Sequence, residues 1–219
     1  MVHSRSQGGR KLRVAGIRTA WRVVGDGEFY CPGCGGDRCY QQLAGRRRLA
    51  VLGVPLLSRG AADPVAECAS CRDHFPVAAL AQPTTVRLAA LLRDAVHAIA
   101  LALLAAGGDE SGPALETAVD TVRGAGFPDC SEDQLLTLLA ALKAGGPAEP
   151  EQELRACLTP LAPHLAGPGR ENLLLEGARI ALTNGHYSDA ERDMLSVIGG
   201  SLGLAPEETD RLLTAAMPT

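Results

Sequence analysis

Cys31-Pro32-Gly33-Cys34 is followed, after 33 residues, by Cys68-Ala69-Ser70-Cys71, and these two C-x2-C pairs decide how the chain is divided. Two thiolates at i and i+3 on a tight turn grip one side of a tetrahedral ion. A second such turn closes the other side and leaves no open position for substrate. The spacing predicts a structural zinc held by Cys31, Cys34, Cys68 and Cys71. A redox dithiol is the rival reading, but one pair would serve it, and no thioredoxin-like βαβ pattern surrounds either pair. His74, three residues after Cys71, could stand in as a ligand, and Cys39 is a spare thiol.

Around the pairs, residues 12–80 alternate short β-prone pieces with Gly and Pro, as in Glu28-Phe29-Tyr30, Leu49 to Val54 and Phe75-Pro76. Leu12, Val14 and Ile17 with Trp21, Val23 and Val24 read as a strand leading into the first pair. Gly45-Arg46-Arg47-Arg48 with Arg59 reads as a basic hairpin, either a solvated tip or a track for a phosphate backbone. The order Gly16-Ile17-Arg18-Thr19, Cys31 to Cys34, Arg46 to Pro55 and Cys68 to Cys71 resembles the zinc-ribbon family. That resemblance implies a small β-rich module over residues 12–80.

Apolar residues make up 46% of the 219 residues but aromatics only 3%. A core must therefore be built from Ala, Leu and Val, which favours close-packed helices over a sandwich. The expected division is 1–82, a zinc ribbon with a basic N-terminal arm, and 83–219, a helical domain. Residues 1–80 hold 12 Lys/Arg against 6 Asp/Glu and residues 81–219 hold 9 against 19, so the halves carry +6 and −10. Seven cysteines, an odd number in paired turns, suit a metal in a reducing compartment better than a secreted disulfide framework, so a cytoplasmic location is expected. The Arg-rich start has no continuous apolar stretch and no small-residue cleavage site, and is not read as a secretory signal. The apolar run Ala95 to Ala106 falls short of the roughly 20 residues that span a bilayer. It is read as a buried helix, and no membrane insertion is expected.

Pro83 with Thr84 and Thr85 opens the first long helix, predicted over 86–106, because Pro ends the preceding strand and Thr caps a helix start. Gly107-Gly108 stops it. Further helices are predicted over 113–123, 132–143, 151–158, 171–183, 191–202 and 206–215. Ser131-x-x-Gln134 and Ser188-x-x-Glu191 are capping boxes, and Pro206 occupies a first-turn position. Gly145-Gly146-Pro147 splits the helices into two sets. Placing Gly108 on Gly185 relates the sets by a period of 77 residues.

The stretch from Ala178 to Leu195, centred on Asn184-Gly185-His186-Tyr187-Ser188 and Glu191, resembles the loop signature of the TerB-like tellurite-resistance family. That signature typically reads Asp-Gly-x-Ile-Ser-x-x-Glu between two helices. Gly185, Ser188 and Glu191 match by position, Tyr187 fills the apolar place, and Asn184 stands where Asp is usual. In the first set Gly107 occupies that place, with Asp109 and Glu110 two and three positions on. The resemblance covers residues 83–219. It implies an all-helical, internally repeated bundle whose loops supply ligands to a second divalent cation, here Asp109, Glu110, Asn184 and Glu191. Read without the resemblance, Ser188 and Glu191 simply cap a helix while Asn184 takes a left-handed turn before Gly185. Both readings are open.

The expected fold is mostly α: a TerB-like bundle of two pseudo-repeats preceded by a small β-rich zinc ribbon. His97 reads as a core histidine, and Cys130 and Cys157 as packing residues. No P-loop, dinucleotide fingerprint, H-E-x-x-H or nucleophile elbow occurs, and no enzyme activity is expected. The functional expectation is a non-enzymatic, zinc-containing protein that binds metal or a protein partner in metal or oxyanion stress, such as tellurite resistance. The alternative is a nucleic-acid-associated regulator acting through the basic ribbon.

Overall fold

A computed structural model describes residues 15–51, 54–108 and 112–217. The chain forms two compact units, Met1–Thr85 and Val86–Thr219. The first contains an antiparallel sheet in simple sequential order: β1 (Ala15–Cys31), β2 (Gly36–Val51), β3 (Val54–Cys68) and the short β4 (His74–Pro76). A 3-10 turn over Val77–Ala81 follows.

The strand expected to lead into the first pair is present from Ala15 on, Leu12 and Val14 lying outside the described residues. Three long strands replace the other short pieces expected from the sequence, and the cause is pairing rather than propensity. β1 and β2 stay paired from Ala15↔Val51 to Cys31↔Gly36, with one irregularity between Val23 and Gly25. The ladder thereby carries Gly25 and Gly27 through positions where an isolated strand would be weak. Pro64, which cannot donate to a ladder, falls with Asp63 where the β2–β3 register shifts between Leu43↔Val65 and Gly45↔Ala62.

Register also corrects the place of the basic run. Gly45-Arg46-Arg47-Arg48 is not a hairpin tip but lies within β2, opposite Trp21, Ala20, Thr19 and Arg18 in turn. The last β2–β3 pair before the reversal is Val51↔Val54. Gly45 is required where it stands, because a Cβ there would lie 2.6 Å from the Trp21 ring and 2.8 Å from the Thr19 methyl.

The second unit is helical: α1 (Thr85–Gly107), α2 (Pro113–Gly124), α3 (Glu132–Ala144), α4 (Glu149–Leu161), α5 (Gly167–Ala181), α6 (Asp189–Ser201) and α7 (Pro206–Ala216). All seven predicted helices are present. Both capping boxes form: Ser131 Oγ accepts from the Gln134 amide and Ser188 Oγ from the Glu191 amide, with each N3 side chain accepting from the cap amide in return. Prolines stand in the first turn of α2, α4, α5 and α7, where the missing N–H costs nothing.

The core is aliphatic, as the scarcity of aromatics predicts. Ile99, Leu103 and Leu104 of α1 are buried with Leu135, Leu154, Leu158, Leu174 and Leu195. Gly177 of α5 lets α1 approach, since a Cβ there would meet Ile99 and Leu103 at 3.1 Å. Truncating one of these leucines to alanine costs about 2–5 kcal/mol. Residues 77–107 are, by length and composition alone, apolar enough to cross a membrane. Eight residues of α1 between Ala95 and Leu104 are nonetheless buried in the structure.

The 77-residue period has a backbone counterpart. Gly108 and Gly185 both adopt left-handed conformations, φ 68° and 88°, and so do Gly126 and Gly203, φ 112° and 75°. Each pair is separated by the same interval, and each member lies shortly after a helix, where a residue without Cβ turns the chain at least cost.

Candidate metal centre

β1 ends at Cys31 and β3 ends at Cys68, each at the entrance to a tight turn. The turns are built alike. Cys31 O accepts from the Gly35 amide at 2.9 Å, and Cys68 O accepts from the Arg72 amide at 3.0 Å. The residue after each second cysteine is left-handed: Gly35 at φ 66° and Arg72 at φ 64°. Arg72 is the one non-glycine with positive φ among the described residues. Such strain at a non-glycine costs on the order of 1 kcal/mol and persists where surrounding contacts impose it.

The two turns bring Cys31, Cys34, Cys68 and Cys71 together, with all four sulfurs within 4.8 Å of one another. Cys31 Sγ lies 3.8 Å from Cys71 Sγ, and Cys34 Sγ lies 4.0 Å from Cys68 Sγ. These separations are far beyond a disulfide bond of about 2.05 Å. They match the edge of about 3.8 Å of a tetrahedron whose sulfurs stand about 2.3 Å from a central ion. The four cysteines can therefore hold a metal ion, and the donor set leaves no vertex for substrate or water.

Packing supports the cluster from one side. Phe29 is buried against Cys31 and Cys68, with Tyr40, Phe75 and Leu80 around it. The Phe29 ring meets Tyr40 edge-on at 5.4 Å and Phe75 at 5.8 Å. This aromatic shell was not assigned by the sequence reading, although Phe29 and Phe75 flank the cysteine pairs closely enough to signal it. The Ser70 amide points at Cys68 Sγ, 3.4 Å away.

The thiols are electrostatically unequal. Burial disfavours ionisation of Cys68, but amide hydrogens from Cys71 and Ser70 outweigh it and bring the thiol down to about 7. For Cys71 an amide from Asp73 favours the thiolate, yet burial and the neighbouring sulfurs prevail and push it up to about 12. Burial also raises Cys34. Four adjacent thiolates repel one another, and a divalent cation supplies the charge that allows them to ionise together.

His74 takes no part in the cluster. Its Nε2 lies 3.2 Å from Glu67 Oε2, and its ring meets Trp21 edge-on at 5.4 Å. Arg72, and then His74, hold the Glu67 carboxyl below the usual carboxylate range. Cys39 is exposed, Cys130 is buried in the helical core and Cys157 packs partly against it.

In the helical unit the acidic-loop residues are placed as follows. Glu191 is buried, and its Oε2 accepts from the Ser188 amide and hydroxyl, both at 2.8 Å. Its Oε1 stands 2.9 Å from where a Cβ on Gly107 would lie, so the end of α1 and the start of α6 meet here. Asn184 is exposed in the 3-10 turn before Gly185. Asp109 and Glu110 lie outside the described residues. Among the described residues, the four cysteines are the group whose donor atoms converge on a possible ion.

A cleft of about 740 Å³ opens beside His97, Phe127, Cys130, Leu135 and Leu138. The ring of His97 packs on Phe127 at 5.5 Å, and the Arg93 guanidinium stands 5.8 Å from the Phe127 centroid. Burial lowers the His97 pKa, and its Nε2 has no hydrogen-bond partner among the described residues. Comparison with known proteins yields no match to a family model, to a curated protein or to a solved structure.

Proposed function

We propose that the first unit is a zinc ribbon, that the helical unit is TerB-like, and that the protein works by binding, without catalysis, in metal or oxyanion stress. The observation that carries the metal reading is the convergence of four cysteine sulfurs within 4.8 Å at tetrahedral edge lengths. Tetrahedral S4 ligation suits zinc, which imposes no redox chemistry and no preferred distortion. With every vertex filled by protein, such an ion staples two turns and has no position left for a reactant.

The TerB-like assignment rests on the Asn184-Gly185 to Glu191 loop, on the paired left-handed glycines 77 residues apart, and on the approach of Glu191 to the end of α1. A protein partner is the expected ligand of the helical surface, which carries the acidic half of the charge. Two measurements separate the parts of this reading. Elemental analysis of protein purified without added metal tests the ribbon: zinc supports it, and iron or no metal refutes it. Tellurite sensitivity of a deletion strain tests the stress role: increased sensitivity supports it, and unchanged growth counts against it.

A further inference from the structure

We propose that the sheet face carrying Arg22, Arg46 and Arg48 binds the phosphate backbone of a nucleic acid without reading its sequence. Residues directly opposite in an antiparallel ladder share a face, and alternate residues along a strand do so too. The pairs Arg22↔Ala44 and Ala20↔Arg46 therefore place Arg22, Arg46 and Arg48 on one face with Ala20 and Ala44. Ala61 of β3 joins them opposite Arg46. Trp21 and Arg47 stand on the other face.

Three features make this face suited to a polyanion. The arginines are exposed, as are Ala20 and Ala61, so nothing tall stands between a ligand and the guanidinium groups. None of the three arginines is ion-paired among the described residues, in contrast to Arg72, Arg155 and Arg179. From the Arg22 level to Arg48 the stripe spans four ladder steps, about 14 Å at about 3.4 Å per residue. Donors spread along a line follow a polymer, whereas a lone phosphate needs donors that converge.

An acidic protein surface is the competing partner, and it fits less well. Protein interfaces are anchored by buried aromatic or large aliphatic side chains, and this face offers only alanine between its arginines. The aromatic that shares this face on β2, Tyr40, lies six residues from Arg46 and packs edge-on against Phe29. No ring therefore stands among the arginines to stack a base, which makes binding indifferent to sequence. Four metal-bound thiolates and one divalent ion would reduce the +6 of residues 1–80 without reversing it. This inference goes beyond the zinc and TerB-like reading and rests on strand register, on the exposure of the three arginines and on their lack of ion pairs among the described residues.

The test is fluorescence anisotropy of the full-length, metal-replete chain with labelled duplex DNA and labelled single-stranded RNA of mixed sequence, across a salt series. Wild-type protein should bind both, with a log–log salt slope near −2.7 on the duplex, about −0.9 for each phosphate contact, and near −2.1 on the single-stranded RNA, about −0.7 for each. R22Q/R46Q/R48Q should weaken binding at least about tenfold and flatten the slope, while R47Q on the opposite face changes it less than about twofold. If the triple variant fails to fold, single R46Q and R48Q variants should each remove about 0.9 of slope on the duplex. No binding at low ionic strength, or an R47Q loss equal to that of the triple variant, would overturn the proposal. So would displacement of DNA by polyglutamate at equal charge concentration, which would assign the face to an acidic protein.

Discussion

Cys31 Sγ and Cys71 Sγ lie 3.8 Å apart although 40 residues separate them in the chain. The β1–β2–β3 sheet brings them together, so an ion held by the four cysteines would be coupled to sheet formation. Thiol titration should reflect this. In the metal-replete protein exposed Cys39 reacts with a disulfide reagent at once, and the four clustered cysteines react only after a chelator is added. Equal reactivity before and after chelation would contradict a bound ion.

Thr209 of α7 packs directly against Gly199 of α6. A Cβ on Gly199 would lie 2.4 Å from Thr209 Oγ1 and 3.2 Å from Thr209 Cβ. Gly199→Ala should destabilise the helical unit by about 1–3 kcal/mol through overpacking. Thr209 Oγ1 is buried without a hydrogen-bond partner among the described residues. Thr209→Val keeps the shape and removes the orphan oxygen, so it should be neutral or stabilise by about 1 kcal/mol. Urea denaturation of both variants measures the two effects.

Glu191 separates capping from cation binding. Its carboxylate accepts from the Ser188 amide and hydroxyl, which glutamine can reproduce and alanine cannot. Glu191→Ala should cost about 1–2 kcal/mol and Glu191→Gln much less. Calorimetric titration with calcium or manganese then addresses the proposed second ion. Heat that wild type shows and Glu191→Gln lacks would assign Glu191 as a ligand, whereas no heat from wild type at millimolar metal would leave it a cap.

His97 should make stability fall on acidification. Burial depresses its folded-state pKa below the ordinary 6.5, with Asp94 opposing weakly. The unfolded chain therefore takes up the proton first. Stability from this group is complete above 6.5, declines as pH drops below it, and levels off once the folded ring protonates. The slope is no steeper than about 1.4 kcal/mol per pH unit, and shallower because the ring is only half buried. His97→Phe should flatten this component in denaturation curves run at successive pH values. An unchanged pH profile would show that the ring titrates normally.

Helices were the legible part of this chain. Pro113, Pro206, Ser131 and Ser188 mark starts through local chemistry, and Gly108, Gly126 and Gly203 mark the turns after helices through backbone freedom, so sequence neighbours suffice to place them. The β-rich module and the strand leading into Cys31 were legible, but the length of the strands was not, because β1 and β2 owe their length to each other. Gly25, Gly27 and the Arg46–Arg48 run look like turn and surface text until the register is known. The metal cluster could be read because cysteine spacing encodes ligand geometry directly. Its Phe29–Phe75 shell was signalled only by the nearness of both rings to the cysteine pairs, and the shared face of Arg22 with Arg46 could not be read, since it depends on which residues the ladder places opposite one another.

Metal content tests the central claim most directly. Full-length protein, purified without added metal or chelator, should contain one zinc per chain by elemental analysis, and Cys31→Ser or Cys71→Ser should lose it while Cys130→Ser retains it. A metal-free wild-type chain, or zinc that survives loss of Cys31 and Cys71, would contradict the account.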